Sequence, residues 1–268
     1  MRILKSLTIL GIVLFITQCA TVPITGRKQA KLMPNSQIFP SSFEQYAQVK
    51  KEGTIITGTS DAQMVTRVGQ KIQKAVEGYF KDQGDLDYLK DYRWEYILLK
   101  DDQMVNAWCM PGGKVAFYTG IIPICKDETG LAVVMGHEIA HAIANHGRER
   151  VSQQMAASTV LQGAGAAMGT EVGGISSEII LKAAGAGTSV GMLKFSRTHE
   201  SEADEMGLYF MAMAGYDPQQ APKFWERMSA GGGGGSPEFL STHPSHDTRI
   251  SDLNANMAKA LEYYKASK

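Results

Sequence analysis

The spacing of hydrophobic positions changes several times along this chain. From Leu7 to Ile16 they run almost unbroken behind Arg2 and Lys5, and Cys19 follows at once, the pattern of a secretory leader over residues 1–18. The run is about half of the roughly 20 residues that a membrane-spanning helix needs, so an uncleaved anchor is the weaker reading. From 21 to 40 the chain is polar and turn-rich, with Pro23, Gly26, Pro34 and Pro40. It reads as a tether (19–40) ahead of a globular domain (41–268). After Asp61, a plausible N-cap, Met64, Val65, Val68, Ile72, Ala75, Val76 and Tyr79 fall at three- and four-residue spacings, which predicts an amphipathic helix over 61–80. Three β-like runs follow at 93–99, 104–110 and 114–119, the last two joined through Pro111, Gly112 and Gly113 as a hairpin. Beyond Gly120 the helical period dominates, at 127–147, 149–168, 198–214, 218–229 and 246–265. The expected class is α+β and helix-dominant, with a small antiparallel sheet packed on a buried helix. Residues 163–191, rich in Gly and Ala, and the five glycines at 231–235 fit neither period.

Composition narrows the function classes. Residues of the AVILMFWYC set make up 44% of the 268 positions and charged residues 20%, enough apolar material for a real core. The 27 Lys and Arg cancel the 27 Asp and Glu, so no net field exists to hold nucleic acid. The three cysteines form no CxxC pair, so any metal must be held by histidines and carboxylates.

Such a set is present. His137, Glu138 and His141 form an HExxH pattern inside the apolar run LAVVMGHEIAHAIA. On a helix, i and i+4 share a face, so both imidazoles can reach one zinc ion while Glu138 lies beside the water that the ion activates. A catalytic zinc takes three protein ligands. The HExxHxxGxxH scheme fails, because Ala144 and Gly147 stand where its glycine and third histidine belong. His146, about 140° round the helix from His141, is expected to cap or pack and not to ligate. The alternative is a carboxylate from RTHESEADEMG (197–207), where Glu200 could ligate and Asp204, one turn on, could orient a ligand histidine. On spacing alone this reading stands level with a second, in which Glu200, Glu202, Asp204 and Glu205 form a solvated acidic face.

HEIAH followed by SRTHESEAD, with its E-x-x-A-D core, resembles the gluzincin metallopeptidase family that contains HtpX and the type one CAAX prenyl proteases. CATVPITGRKQ, NAWCMPGGKVAFYTGI and STHPSHDTRI extend the resemblance from about Cys19 to Leu253, nearest to the soluble LoiP-like and BepA-like envelope lipoproteins. It implies a zincin-type fold with one zinc ion on His137, His141 and Glu200, Glu138 as general base and Asp204 behind a ligand. It also implies a metalloendopeptidase of the bacterial cell envelope, exported, lipid-anchored at Cys19 and facing the periplasm from the outer membrane. Its expected partners are unfolded or misassembled polypeptides, with no nucleic acid. A chaperone or assembly factor using the same cleft is the alternative.

Other positions complete the expectations. His243 is the first choice for a donor to the tetrahedral oxyanion, or a zinc ligand at rest; Arg249 is the second choice, or else pairs with a carboxylate to fix the last helix. A strand of the NAWCMPGG hairpin could offer an edge to an extended substrate, with Asn106 and Ala107 in contact. Whether Cys109 and Cys125 pair is open.

Overall fold

The computed structural model describes residues 19–153, 195–230, 238–243 and 248–268. The leader at 1–18, the Gly/Ala-rich stretch at 163–191, the glycine run at 231–235 and the Cys19 side chain lie outside the described residues.

The segment expected to be a tether is part of the domain. Strands β1 (Cys19–Thr21) and β2 (Lys28–Ala30) pair antiparallel, and Val22 between them is buried in the main core. Helix α1 (Asn35–Glu52) starts before Ser41, with Pro34 at its N-cap and Pro40 inside its second turn. Pro34 thus stands at a helix start, where a missing N–H costs least, while Pro40 lies inside the helix and leaves one i to i−4 hydrogen bond unmade. After β3 (Ile55–Ile56), helix α2 (Ser60–Asp82) follows the predicted period. Its cap is Thr59, whose hydroxyl accepts from the Ala62 N–H at 3.2 Å, and its buried stripe is Val65, Val68, Ile72, Val76 and Phe80.

The main sheet has the order β3, β4 (Glu95–Leu99), β6 (Lys114–Tyr118), β5 (Ala107–Met110). The hairpin β5–β6 is antiparallel and turns through Gly112 and Gly113, both at φ 85°. Gly113 needs this freedom twice over, since a Cβ there would also stand 2.6 Å from the Trp94 ring. One pairing differs from the expected antiparallel sheet: β4 and β6 are parallel, with Glu95 opposite Lys114 and Leu99 opposite Tyr118. The chain leaves β4, forms β5 on the outer edge and turns back between them, so β6 runs the same way as β4.

Short helix α3 (Ile122–Cys125) leads into α4 (Glu128–Ile143), capped by the Asp127 carboxylate on the Gly130 N–H at 2.9 Å. Every residue of α4 from Gly130 onward is buried, among α2, β5, α5 (Arg197–Met213) and α6 (Gln220–Ala230). Helices α4 and α5 cross with their backbones in contact: a Cβ on Gly207 would lie 2.7 Å from the His137 nitrogen, and one on Gly136 2.7 Å from the Gly207 carbonyl oxygen. After α7 (Glu238–Thr242), α8 (Arg249–Ala266) packs along α5. Among the described residues, no helix is long and apolar enough to cross a membrane.

Candidate metal centre

The α4–α5 crossing sets the site. Because the two glycines remove the side chains that would hold the helices apart, His137 and His141 on α4 reach Glu200 in the first turn of α5. The ring of His243, just past α7, completes a buried group of four donors. His137 Nε2 lies 3.1 Å from His141 Nε2 and 3.3 Å from His243 Nδ1. Glu200 lies 3.5 Å from His137 Nε2, 3.4 Å from His141 Nε2 and 3.1 Å from His243 Nδ1. Ligands at about 2.0–2.1 Å around a tetrahedral zinc are about 3.3 Å apart, so this donor set fits such an ion in both spacing and chemistry. Glu138 Oε1, buried with no hydrogen-bond partner among the described residues and 3.5 Å from His243 Nε2, is the acceptor left over.

Electrostatics agree. Burial opposes a charge on His137, but Asp204 and Glu200 outweigh it and hold its pKa up at about 9. Burial pushes His141 well below the usual histidine range. Glu200 is held well below the carboxylate range despite its burial, by His243, His137 and His141. The pocket therefore calls for a cation, and a metal competes for it with a proton. Burial pushes Glu138 up, and the Cys109 N–H hydrogen-bonds its carboxylate.

The acidic positions of α5 do not form a solvated face: Glu200, Glu202 and Asp204 are all buried. Asp204 Oδ1 accepts from His137 Nδ1 at 2.9 Å, and its Oδ2 accepts from Arg249 Nε at 2.7 Å. Arg249 also donates to Glu200 Oε2 at 2.8 Å and lies 4.0 Å above the Trp225 ring. It is thus the carboxylate partner that fixes the last helix.

His146 behaves differently from its place on an ideal helix. Helix α4 ends at Ala144, Asn145 adopts φ 57°, and residues 146–153 resume as a new helical run. Asn tolerates this left-handed conformation. The break brings His146 Nδ1 to 2.8 Å from His141 Nδ1 and its Nε2 to 2.9 Å from Glu202 Oε2. Burial pushes its pKa down to about 4. The spacing of His146 and Glu202 was in the sequence; the break at Asn145 was not.

Ala107 starts the edge strand β5 and Asn106 precedes it; both are buried, and Asn106 Oδ1 accepts from the Ala107 N–H at 2.9 Å. Cys109 and Cys125 are free thiols, each with its pKa raised by burial.

Comparison with known proteins extends this picture. Mitochondrial metalloendopeptidase OMA1 of Schizosaccharomyces pombe is 38% identical over 175 residues, 64% of this chain and 49% of that protein. The OMA1 metalloendopeptidase of Bos taurus is 28% identical over 270 residues, 97% of this chain and 50% of its own length. The beta-barrel assembly-enhancing protease of Escherichia coli is 33% identical over 166 residues, 59% of this chain and 33% of its own. The chain thus spans about half the length of its mitochondrial relatives. They overturn the expected bacterial outer-membrane placement, since relatives matched over up to 97% of this chain are mitochondrial proteins of yeasts, a plant and mammals. The model of peptidase family M48, whose metallopeptidases use zinc, matches residues 67–257, a span that holds the HExxH helix, Glu200, Asp204, His243 and Arg249: the chain belongs to peptidase family M48.

Proposed function

We propose that this chain is a zinc-dependent endopeptidase that hydrolyses peptide bonds of unfolded or misassembled polypeptides, with one ion held by His137, His141 and Glu200. The observation that carries the reading is Glu138 Oε1, a buried carboxylate oxygen with no hydrogen-bond partner among the described residues, beside four clustered metal donors. When bound, zinc supplies Lewis acidity, which acidifies water and polarises a carbonyl. Glu138 takes up the released proton and passes it to the departing amine. Its burial, which raises its pKa, suits a group that must hold a proton between the two transfers. Asp204 fixes His137 with its second nitrogen turned toward the ion. The position of His243 Nδ1 favours a ligand at rest over an oxyanion donor, because it stands at the fourth corner of the donor set. An extended substrate would lie along β5, which ends the sheet and touches α4. No observation favours a chaperone that leaves this constellation idle.

The test is cleavage of unfolded casein by the full chain with one equivalent of zinc. Glu138→Gln is expected to lower the rate at least ~100-fold at unchanged zinc content, and a chelator to do the same to the wild type by removing the metal. Retained cleavage by Glu138→Gln, or none by zinc-loaded wild type, would refute the reading.

A further inference from the structure

The hydrogen bond between His141 and His146 has a direction. A neutral imidazole that turns Nε2 toward a metal carries its proton on Nδ1. His141 Nε2 is the nitrogen that faces His137 and Glu200, so its Nδ1–H donates to His146 Nδ1 at 2.8 Å. His146 must then carry its own proton on Nε2, and that atom faces Glu202 Oε2 at 2.9 Å. Glu202 is the end of the chain of donors. It also accepts from Arg27 Nε at 2.7 Å and from the Thr25 hydroxyl.

Arg27 does more than end the line. Its two terminal nitrogens donate to Glu149 at 2.9 and 2.7 Å, and Glu149 accepts from His199 Nε2 at 3.2 Å. The His199 ring stacks on His146 with centroids 4.4 Å apart at 24°. The circuit from His146 through Glu202, Arg27, Glu149 and His199 therefore closes on itself. The other ligand histidine has a shorter version, His137 to Asp204 to Arg249. His137 is thus backed directly by a carboxylate and His141 by one through His146, and each carboxylate is held by an arginine. Arg27 and Thr25 belong to the turn between β1 and β2, outside the span of the family match.

We propose that the N-terminal hairpin is a positioning device for the metal centre: Arg27 and Thr25, acting through Glu202 and His146, fix the tautomer and direction of His141 and thereby set zinc affinity. The inference rests on the ligand set proposed above. Partners behind a ligand histidine typically change metal affinity 10–100-fold.

The experiment is competition for zinc between the full chain and a chromophoric chelator, with the visible spectrum of the cobalt-loaded chain as a second readout. His146→Phe keeps a flat buried ring and removes the acceptor. It is expected to weaken zinc about 10–100-fold and to shift the cobalt bands. Arg27→Met should weaken zinc in the same direction, with Arg27→Lys restoring part of the loss. Should His146→Phe fail to fold, Thr25→Val and the Arg27 pair carry the same test. A merely structural network would lower the melting temperature of the metal-free chain and leave competition and spectrum unchanged. That result in folded variants overturns this inference alone, whereas a wild type that takes up no zinc overturns the ligand set as well.

Discussion

Arg249 donates to Glu200 and Asp204 at once while its guanidinium lies on Trp225, so one buried cation is shared by a candidate metal donor and by the carboxylate that accepts from His137. Removing it leaves two buried carboxylates short of their cation. Breaking a buried pair from one side costs about 3–5 kcal/mol, so Arg249→Met should lower the unfolding free energy of the metal-free chain by about that amount in urea titration. Arg249→Lys should recover only part, because an ammonium lacks the planar fork that serves both carboxylates. A loss below about 1 kcal/mol for Arg249→Met would show that the pair carries no such load. The arginine was visible in the sequence with both of its roles in view. Only the fold chooses between them, since the choice depends on where α8 lies against α5.

At the level of elements, the crossing of α4 and α5 depends on two glycines whose Cβ positions would meet opposing backbone. Gly207→Ala puts a methyl 2.7 Å from the His137 nitrogen, and backbone cannot yield as a side-chain end can. Overpacking of this kind costs about 1–3 kcal/mol. Urea unfolding should show such a loss, together with weaker zinc binding, and an unchanged chain would mean that the helices are not held by this contact. Helices α2, α4 and α5 were legible because a helical period or an apolar run holds over many residues, although α2 is capped by Thr59 and not by Asp61. The HExxH part of the donor cluster was legible too, since it lies within one helix, whereas the spacing of Glu200 and Asp204 fitted a solvated face equally well and only the crossing of α4 and α5 buries them. Three features were not legible. The left-handed turn at Asn145 is a single-residue choice that no period announces. The start of α1 is masked by its own prolines. The parallel pairing of β4 with β6 depends on which side of β4 the hairpin docks, a tertiary matter.

Over the whole molecule, the clamp of Arg27 on Glu149 and Glu202 ties the first described strands to the helical run 146–153 and to α5. Burial raises the Glu149 carboxyl, but His199 and Arg27 outweigh it and hold it at about 2. This folded value lies below the unfolded one of about 4.3. The contribution to stability is therefore complete above that range and is lost as pH falls through about 2. Melting temperature should fall more steeply for the wild type than for Glu149→Gln between about pH 4.5 and 2. Parallel curves would show that the clamp carries no proton-linked stability. The two arginines that back the ligand histidines sit near opposite ends of the sequence, and this bears on how the protein is made. A nascent chain that has just exposed HExxH offers two loose imidazoles, with Glu200, Glu202 and Asp204 still to be synthesised and Arg249 later still. Domains fold as units once their chain has emerged, so the four clustered donors and the groups behind them come together only after translation has passed α8.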